Sequence, residues 1–245
     1  MELTGKKNFR TFFAFAGIMG LVGVLGGLAD IGISSVLGGA DISTLPKEAV
    51  GRFAIYHASA LEGLYKMDLL NVCMSLLTVP FFLGLAFAHR DQRPAFAMFT
   101  FSVAVIGTAV FVTNNAALPM LSLTRDYYAA ADEARRQTIA AAGEALLSRG
   151  AHGSPGAFPG FVLSSFSSLL FSFLMLGGGI FAKPVALLGI VGNSIMILYL
   201  IVVTFLPDME RVAMFIVMIG GLAMMAWLVI GSIRLIALGR NHEKV

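Results

Sequence analysis

The chain has 245 residues, 58% of them hydrophobic and only 13% charged, against about 25% charged in a soluble domain. Its formal charge of +3 is small and dispersed, which argues against nucleic-acid binding, and one cysteine, Cys73, excludes an intrachain disulfide or a thiolate zinc cluster. A mean hydropathy of +0.85 points to a bilayer as the solvent.

A hydrocarbon core of about 30 Å is crossed by about 20 apolar residues, and unpaired backbone groups are too costly there for anything but helix. Six runs are candidates: 11–32, 64–88, 95–112, 158–181, 185–205 and 212–238. They predict an all-α polytopic membrane protein, a single six-helix membrane domain over 1–245 with a short helical extracytoplasmic insertion at 113–159. Lys6, Lys7 and Arg10 precede the first run as they would in a signal peptide. The run exceeds the roughly 7–15 residues of a signal's apolar stretch, and no clear A-x-A site follows, so it reads as a retained span.

With the N-terminus inside, the inner segments carry nine basic and three acidic residues, and the outer side carries eight basic and eleven acidic ones. Basic residues in short loops set orientation. The division predicts a plasma (inner) membrane protein with both termini cytoplasmic.

After Gly38 and Gly39, Ser43 or Thr44 can cap a helix whose first turn holds Pro46. Phe53, Leu61 and Leu64 recur at helical spacing with no obvious breaker before the second span, which predicts one long helix over 46–88. The loop 113–159 is too long to be structureless. It predicts two short helices, 118–131 and 132–149, the second with Asp132 and Glu133 against its dipole and Gly150 as its stop. A Gly- and Pro-rich turn at 153–160 leads into the fourth span.

The stretches Thr113-Asn-Asn-Ala-Ala-Leu-Pro-Met-Leu-Ser-Leu-Thr-Arg-Asp-Tyr-Tyr-Ala-Ala-Ala-Asp-Glu-Ala-Arg-Arg136, Ala141-Ala-Gly-Glu-Ala-Leu-Leu147 and Phe181-Ala-Lys-Pro-Val-Ala-Leu-Leu-Gly-Ile-Val-Gly-Asn193 resemble a family of small six-span prokaryotic integral membrane proteins. That family is catalogued as a domain of unknown function, number 4386. The resemblance covers most of the chain after the first span. It implies six spans and a helical outer cap, and it brings no activity, cofactor or catalytic residue. The Pro-rich approach to span four departs from the family's pattern.

Ionisable groups at membrane depth are the natural candidates for function. Asp30 lies near the outer end of the first span. On the long helix, His57, Leu61, Leu64, Asp68, Asn71 and Ser75 fall within about 40° of one line. This polar stripe predicts an outward ligand-binding pocket with Asp30, Asn114 and Asn115. The alternative is that Asp30 and Asp68 are solvated at headgroup depth, or paired with Lys66 or Arg125. Asn193 sits near the midplane of span five, where it can bond a neighbouring helix or contact a substrate. His89, His152 and His242 lie in turns, a linker and the tail, and no set of donors has metal- or haem-ligand spacing. No cofactor is implied. Gly160, Ser164, Ser168 and Ser172 recur every fourth residue, a surface for close packing, with the G-x-x-x-G at Gly23–Gly27 of span one as the matching face.

No acid, base or nucleophile pair is identifiable, which disfavours an enzyme. The reading favoured is non-enzymatic binding or transport of a lipid or small hydrophobic molecule entering from the outer leaflet, with membrane lipids as partners. The alternative is an accessory or assembly subunit that meets protein subunits of a larger membrane complex.

Overall fold

The computed structural model describes residues 2–37, 45–177, 179–206 and 208–240. The chain is 86% helical and contains no strand among the described residues, which settles the all-α class. Ten helices follow in order among these residues: α1 (Glu2–Leu37), α2 (Ala49–Ala58), α3 (Ala60–Tyr65), α4 (Leu69–Ala88), α5 (Pro94–Asn114), α6 (Ala117–Ala129), α7 (Glu133–Gly150), α8 (Phe158–Gly177), α9 (Lys183–Phe205) and α10 (Glu210–Arg240). Six of them, α1, α4, α5, α8, α9 and α10, are long and apolar enough to cross a membrane, so this is a multi-pass membrane protein. At 36 residues, α1 is roughly 54 Å long and overruns the hydrocarbon core.

The spans close into a ring in chain order. Helix α1 packs on α4, α4 on α5, α5 on α8, α8 on α9, α9 on α10, and α10 returns to α1. The middle is filled rather than hollow. Phe81, Phe171, Trp227 and Leu235 are fully buried there. Phe81 meets Trp227 edge-on at 5.7 Å, and the indole Nε1–H points to the sulfur of Met175 at 3.4 Å.

Small residues bring the helices together, but between other partners than the sequence suggested. The glycine face of α1 receives α4 and α10: a methyl group at Gly23 would strike Thr78, and one at Gly17 would strike the Ser232 carbonyl. The small face of α8 receives α5 and α9. A methyl group at Gly160 would lie 2.7 Å from the Phe111 nitrogen, and Ser167 Oγ donates to the Thr100 carbonyl at 3.1 Å. Helices α1 and α8 thus use their small faces on their ring neighbours, not on each other.

The expected long helix over 46–88 is broken twice. At Ser59 the backbone is extended, and its side chain accepts from the Glu62 amide at 3.3 Å, capping the start of α3. At Asp68 the backbone is left-handed, with φ of 63°. Asp tolerates that region better than most L-residues because its short polar side chain bonds locally. Helix α2 starts at Ala49, and its first amide is capped from outside by Glu144 Oε1 at 2.6 Å. The capping proposed for Ser43 and Thr44 lies outside the described residues.

Helices α2, α3, α6 and α7 form a cap at one end of the bundle with its own apolar core of Phe53, Tyr56, Met67, Met120, Ile139 and Leu147. The loop helices α6 and α7 lie within a residue or two of their expected bounds, and Asp132 caps α7 by accepting from the Arg135 amide at 2.7 Å.

Candidate functional site

Where the cap meets the bundle, three elements distant in sequence bring titratable groups into one chain of hydrogen bonds. Asp68 stands immediately before α4 in a left-handed conformation, and its side chain makes no capping bond to that helix. His152 belongs to the linker between α7 and α8, and Tyr199 faces inward from α9. The His152 Nδ1–H donates to Asp68 Oδ2 at 2.8 Å, and His152 Nε2 lies 2.7 Å from the Tyr199 hydroxyl. Asn71, one turn into α4, donates from Nδ2 to the other Asp68 oxygen at 3.1 Å. The His152 side chain is 23% exposed and that of Asp68 14%.

Burial alone disfavours both charges. For Asp68, burial raises the carboxyl pKa, but the charge and hydrogen bond of His152, with help from Asn71 and Arg52, more than offset it and hold the group below the usual carboxylate range. For His152, burial lowers the pKa, and Asp68 and Tyr199 together reverse this, holding it well above its ordinary value. The resting state at neutral pH is therefore an imidazolium between a carboxylate and a phenol, donating from both nitrogens. Such an arrangement can hold a proton at His152 and pass it along the chain. It is also an acid–base pair, which the sequence had not revealed.

A second polar group lies beside it. Tyr65 donates to Asp30 Oδ1 at 2.8 Å, and since its one proton is used there, the Ser34 hydroxyl donates to the tyrosine oxygen. Burial, the first cause, and the Asp30 carboxylate push the Tyr65 hydroxyl up to about 12, so it stays protonated as a donor.

The residues proposed from sequence divide. Asp68 and Asn71 share one site, and Asp30 lies next to it through Tyr65; neither aspartate is bonded to Lys66 or Arg125 as the alternative had it, since Lys66 pairs with Glu62 at 2.6 Å. His57 is not in the site: the break at Ser59 turns α2 away, and the imidazole is exposed and stacked on Tyr128 at 3.8 Å. Ser75 lies deeper on α4 and bonds back to the Val72 carbonyl at 2.8 Å. Asn114 is a tie between elements, donating to the Gly156 carbonyl at 2.8 Å and accepting from Arg149 at 3.2 Å. Asn115 holds the turn before Asp68 by donating to the Met67 carbonyl at 2.8 Å. Asn193 is fully buried and donates to Gly189 of its own helix at 2.8 Å, not to a neighbour. Its Oδ1, the Ser232 hydroxyl and His89 Nε2 are buried with no hydrogen-bond partner among the described residues. Among the described residues no cluster of three or more His, Cys, Asp or Glu side chains is placed to hold a metal ion.

A cleft of about 360 Å³ opens near Tyr65, lined by Ile33, Ser59, Leu61, Glu62 and Tyr65. Asp68 and His152 are not among its walls, so the acid–base pair and the cleft are separate features.

Fold and site together define a multi-pass helical membrane protein with a half-buried ion pair under a helical cap. Comparison with protein-family models, with curated proteins and with solved structures returns no match.

Proposed function

We propose that this protein binds or transports a lipid or small hydrophobic molecule that reaches it from the outer leaflet of a prokaryotic plasma membrane, with both termini cytoplasmic and the cap outside. The charge division between short and long loops supports the orientation. The likeness to the six-span family of unknown function supports membership in it as part of the same proposal, and adds no activity.

The observation that carries the ligand reading is the cleft beside α3. Its volume of about 360 Å³ falls at the low end of the about 300–1,000 Å³ usual for ligand sites. Its lining includes apolar Ile33 and Leu61, and Leu61 is 81% exposed. Its lining also includes polar Ser59, Glu62 and Tyr65, and the Tyr65 hydroxyl is held by Asp30 and Ser34. An amphiphile suits this pairing, its head at Tyr65 and Glu62 and its chain along Ile33 and Leu61. A binding role is favoured over an enzymatic one because the acid–base pair does not line the cleft.

Native mass spectrometry of the detergent-purified wild type, Tyr65→Phe and Leu61→Ser tests this. The expected result is one retained lipid class in the wild type and several-fold less of it in Leu61→Ser. Equal retention in all three, with folding intact, rejects the cleft as a site. A stoichiometric partner protein in the absence of retained lipid replaces it by the accessory-subunit reading.

A further inference from the structure

The linker 151–157 is bonded to Asn114 at the end of α5, to Asp68 at the start of α4 and to Tyr199 of α9. Its flanks are tied by neutral or solvent-facing bonds. Gly156 accepts from Asn114 at 2.8 Å, and Arg149 donates to the Thr113 carbonyl at 3.2 Å. Its backbone is built to turn: Gly153 has φ of 75°, a region open to glycine and rare for other residues, and Pro155 and Gly156 follow. A methyl group added at Gly153 would meet Val203 of α9 at 3.4 Å. Between these flanks a single polar side chain, His152, reaches into the bundle, bridging partners 84 and 47 residues away.

We propose that His152 is a proton-binding site that clamps the cap-to-span linker onto α4 and α9, and that loss of its proton releases the linker. The clamp operates whether or not the cleft by Tyr65 holds a lipid.

The chemistry is one of partner count. An imidazolium has two N–H donors, and here both are used, one toward Asp68 Oδ2 and one toward the Tyr199 oxygen. When the ring loses a proton, one nitrogen becomes an acceptor, and the attraction to the carboxylate falls from an ion pair to a neutral hydrogen bond. Asp68 then keeps hydrogen bonds from the His152 N–H and from Asn71 but no longer faces an imidazolium, and the more distant Arg52 is the cation left to offset its charge. Removing one charge of a largely buried ion pair is unfavourable for the charge that stays. The surrounding groups bias the site one way. Asp68 from α4, Asp30 from α1 and the Tyr199 phenol from α9 favour the bound proton, and Arg52 of α2 acts on Asp68 by stabilising its charged form. His152 therefore keeps its proton above the pH at which a solvated histidine gives it up, so the clamp is closed at neutral pH and opens on the alkaline side.

The test uses the full chain in detergent micelles, labelled with ¹³C-histidine, together with hydrogen exchange of the linker expressed as protection factors so that intrinsic pH effects cancel. His152→Gln assigns the His152 resonance by its loss. The expected result is a His152 midpoint above about 6.5, with linker protection falling at least about tenfold through that midpoint. Asp68→Asn preserves shape and the left-handed backbone while removing the charge, and should lower the proton affinity of His152 by about tenfold or more, one pKa unit, moving the loss of protection with it. In His152→Gln protection should not change with pH. A wild-type midpoint at or below about 6.5, or linker protection that stays flat through the midpoint, overturns the proposal. So does an Asp68→Asn midpoint equal to the wild type's.

Discussion

Replacing Gly160 by alanine tests the ring architecture most directly. At the crossing of α5 and α8, a methyl group on Gly160 would lie 2.7 Å from the Phe111 nitrogen and 2.8 Å from its Cα. The reciprocal glycine on α5 is as tight, since a methyl group at Gly107 would lie 2.9 Å from the Ser164 nitrogen. Carbon contacts are comfortable at about 3.5–4.0 Å, so the helices must part by roughly 0.8 Å. Backbone atoms cannot rotate away as a side-chain tip can, which places the cost at the upper end of the overpacking range, about 3 kcal/mol. Alanine recovers about 0.5–1 kcal/mol as the better helix former. The net expected loss is about 2 kcal/mol. Gly221→Ala is the control: nothing lies within 4 Å of the added methyl group, so only the gain remains. Equilibrium unfolding of both variants in mixed detergent micelles reads the difference. Gly160→Ala as stable as wild type, or both variants shifted equally, would refute the close α5–α8 crossing.

Asp68→Asn should destabilise by up to about 3 kcal/mol, the low end for breaking a buried pair because both groups retain some exposure. The raised His152 pKa makes the pair's contribution complete below about pH 6.5 and fading as pH climbs through the raised value; the lowered Asp68 pKa makes it complete above about pH 3.8 and fading below. The stability gap between wild type and variant should therefore be widest from about pH 4 to 6.5 and narrow at alkaline pH, measured by denaturation across that range. Ser168→Leu should cost about 1–3 kcal/mol by overpacking against the neighbours of α8, while Ser168→Ala should be nearly neutral, as its hydroxyl only bonds back to Ser164 at 3.1 Å; thermal stability in detergent reads both. Cysteines introduced by Ala140→Cys and Asp91→Cys, in a Cys73→Ser background, should label from opposite sides of intact cells, the first without permeabilisation. His57→Ala should leave retained lipid unchanged, because the ring is stacked on Tyr128 outside the cleft; native mass spectrometry checks it.

The spans and cap helices were legible because length, apolarity and local capping write them into contiguous residues, Asp132 at the start of α7 being the clearest case. The break at Ser59 was legible too, in retrospect: Ser59 and Glu62 have the S-x-x-E spacing that opens a helix. The break at Asp68 had no comparable mark, since neither glycine nor proline stands there. That turn decides the site, because it aims Asp68 at the linker. His152 was unreadable for a different reason. Its partners are 84 and 47 residues away, and nothing local distinguishes a buried linker histidine from a solvated one. Asn193 shows the limit of depth arguments: its position near mid-span was right, and its bond goes to its own helix.

Ring closure in chain order has a consequence for biosynthesis. Each spanning helix packs on the one threaded before it, so the growing bundle can assemble span by span from contacts between sequence neighbours, which favours rapid association. Only the last seam joins distant ends of the chain. When α10 arrives it must cover α9 and, at the same time, the waiting glycine face of α1, where Gly17 and Gly239 bring the backbones together at Ser232 and Arg10. Until then α1 shows lipid a surface shaped for a helix not yet made. A ribosome stalled before α10 would leave that seam open, and a quality-control protease would find α1 there first.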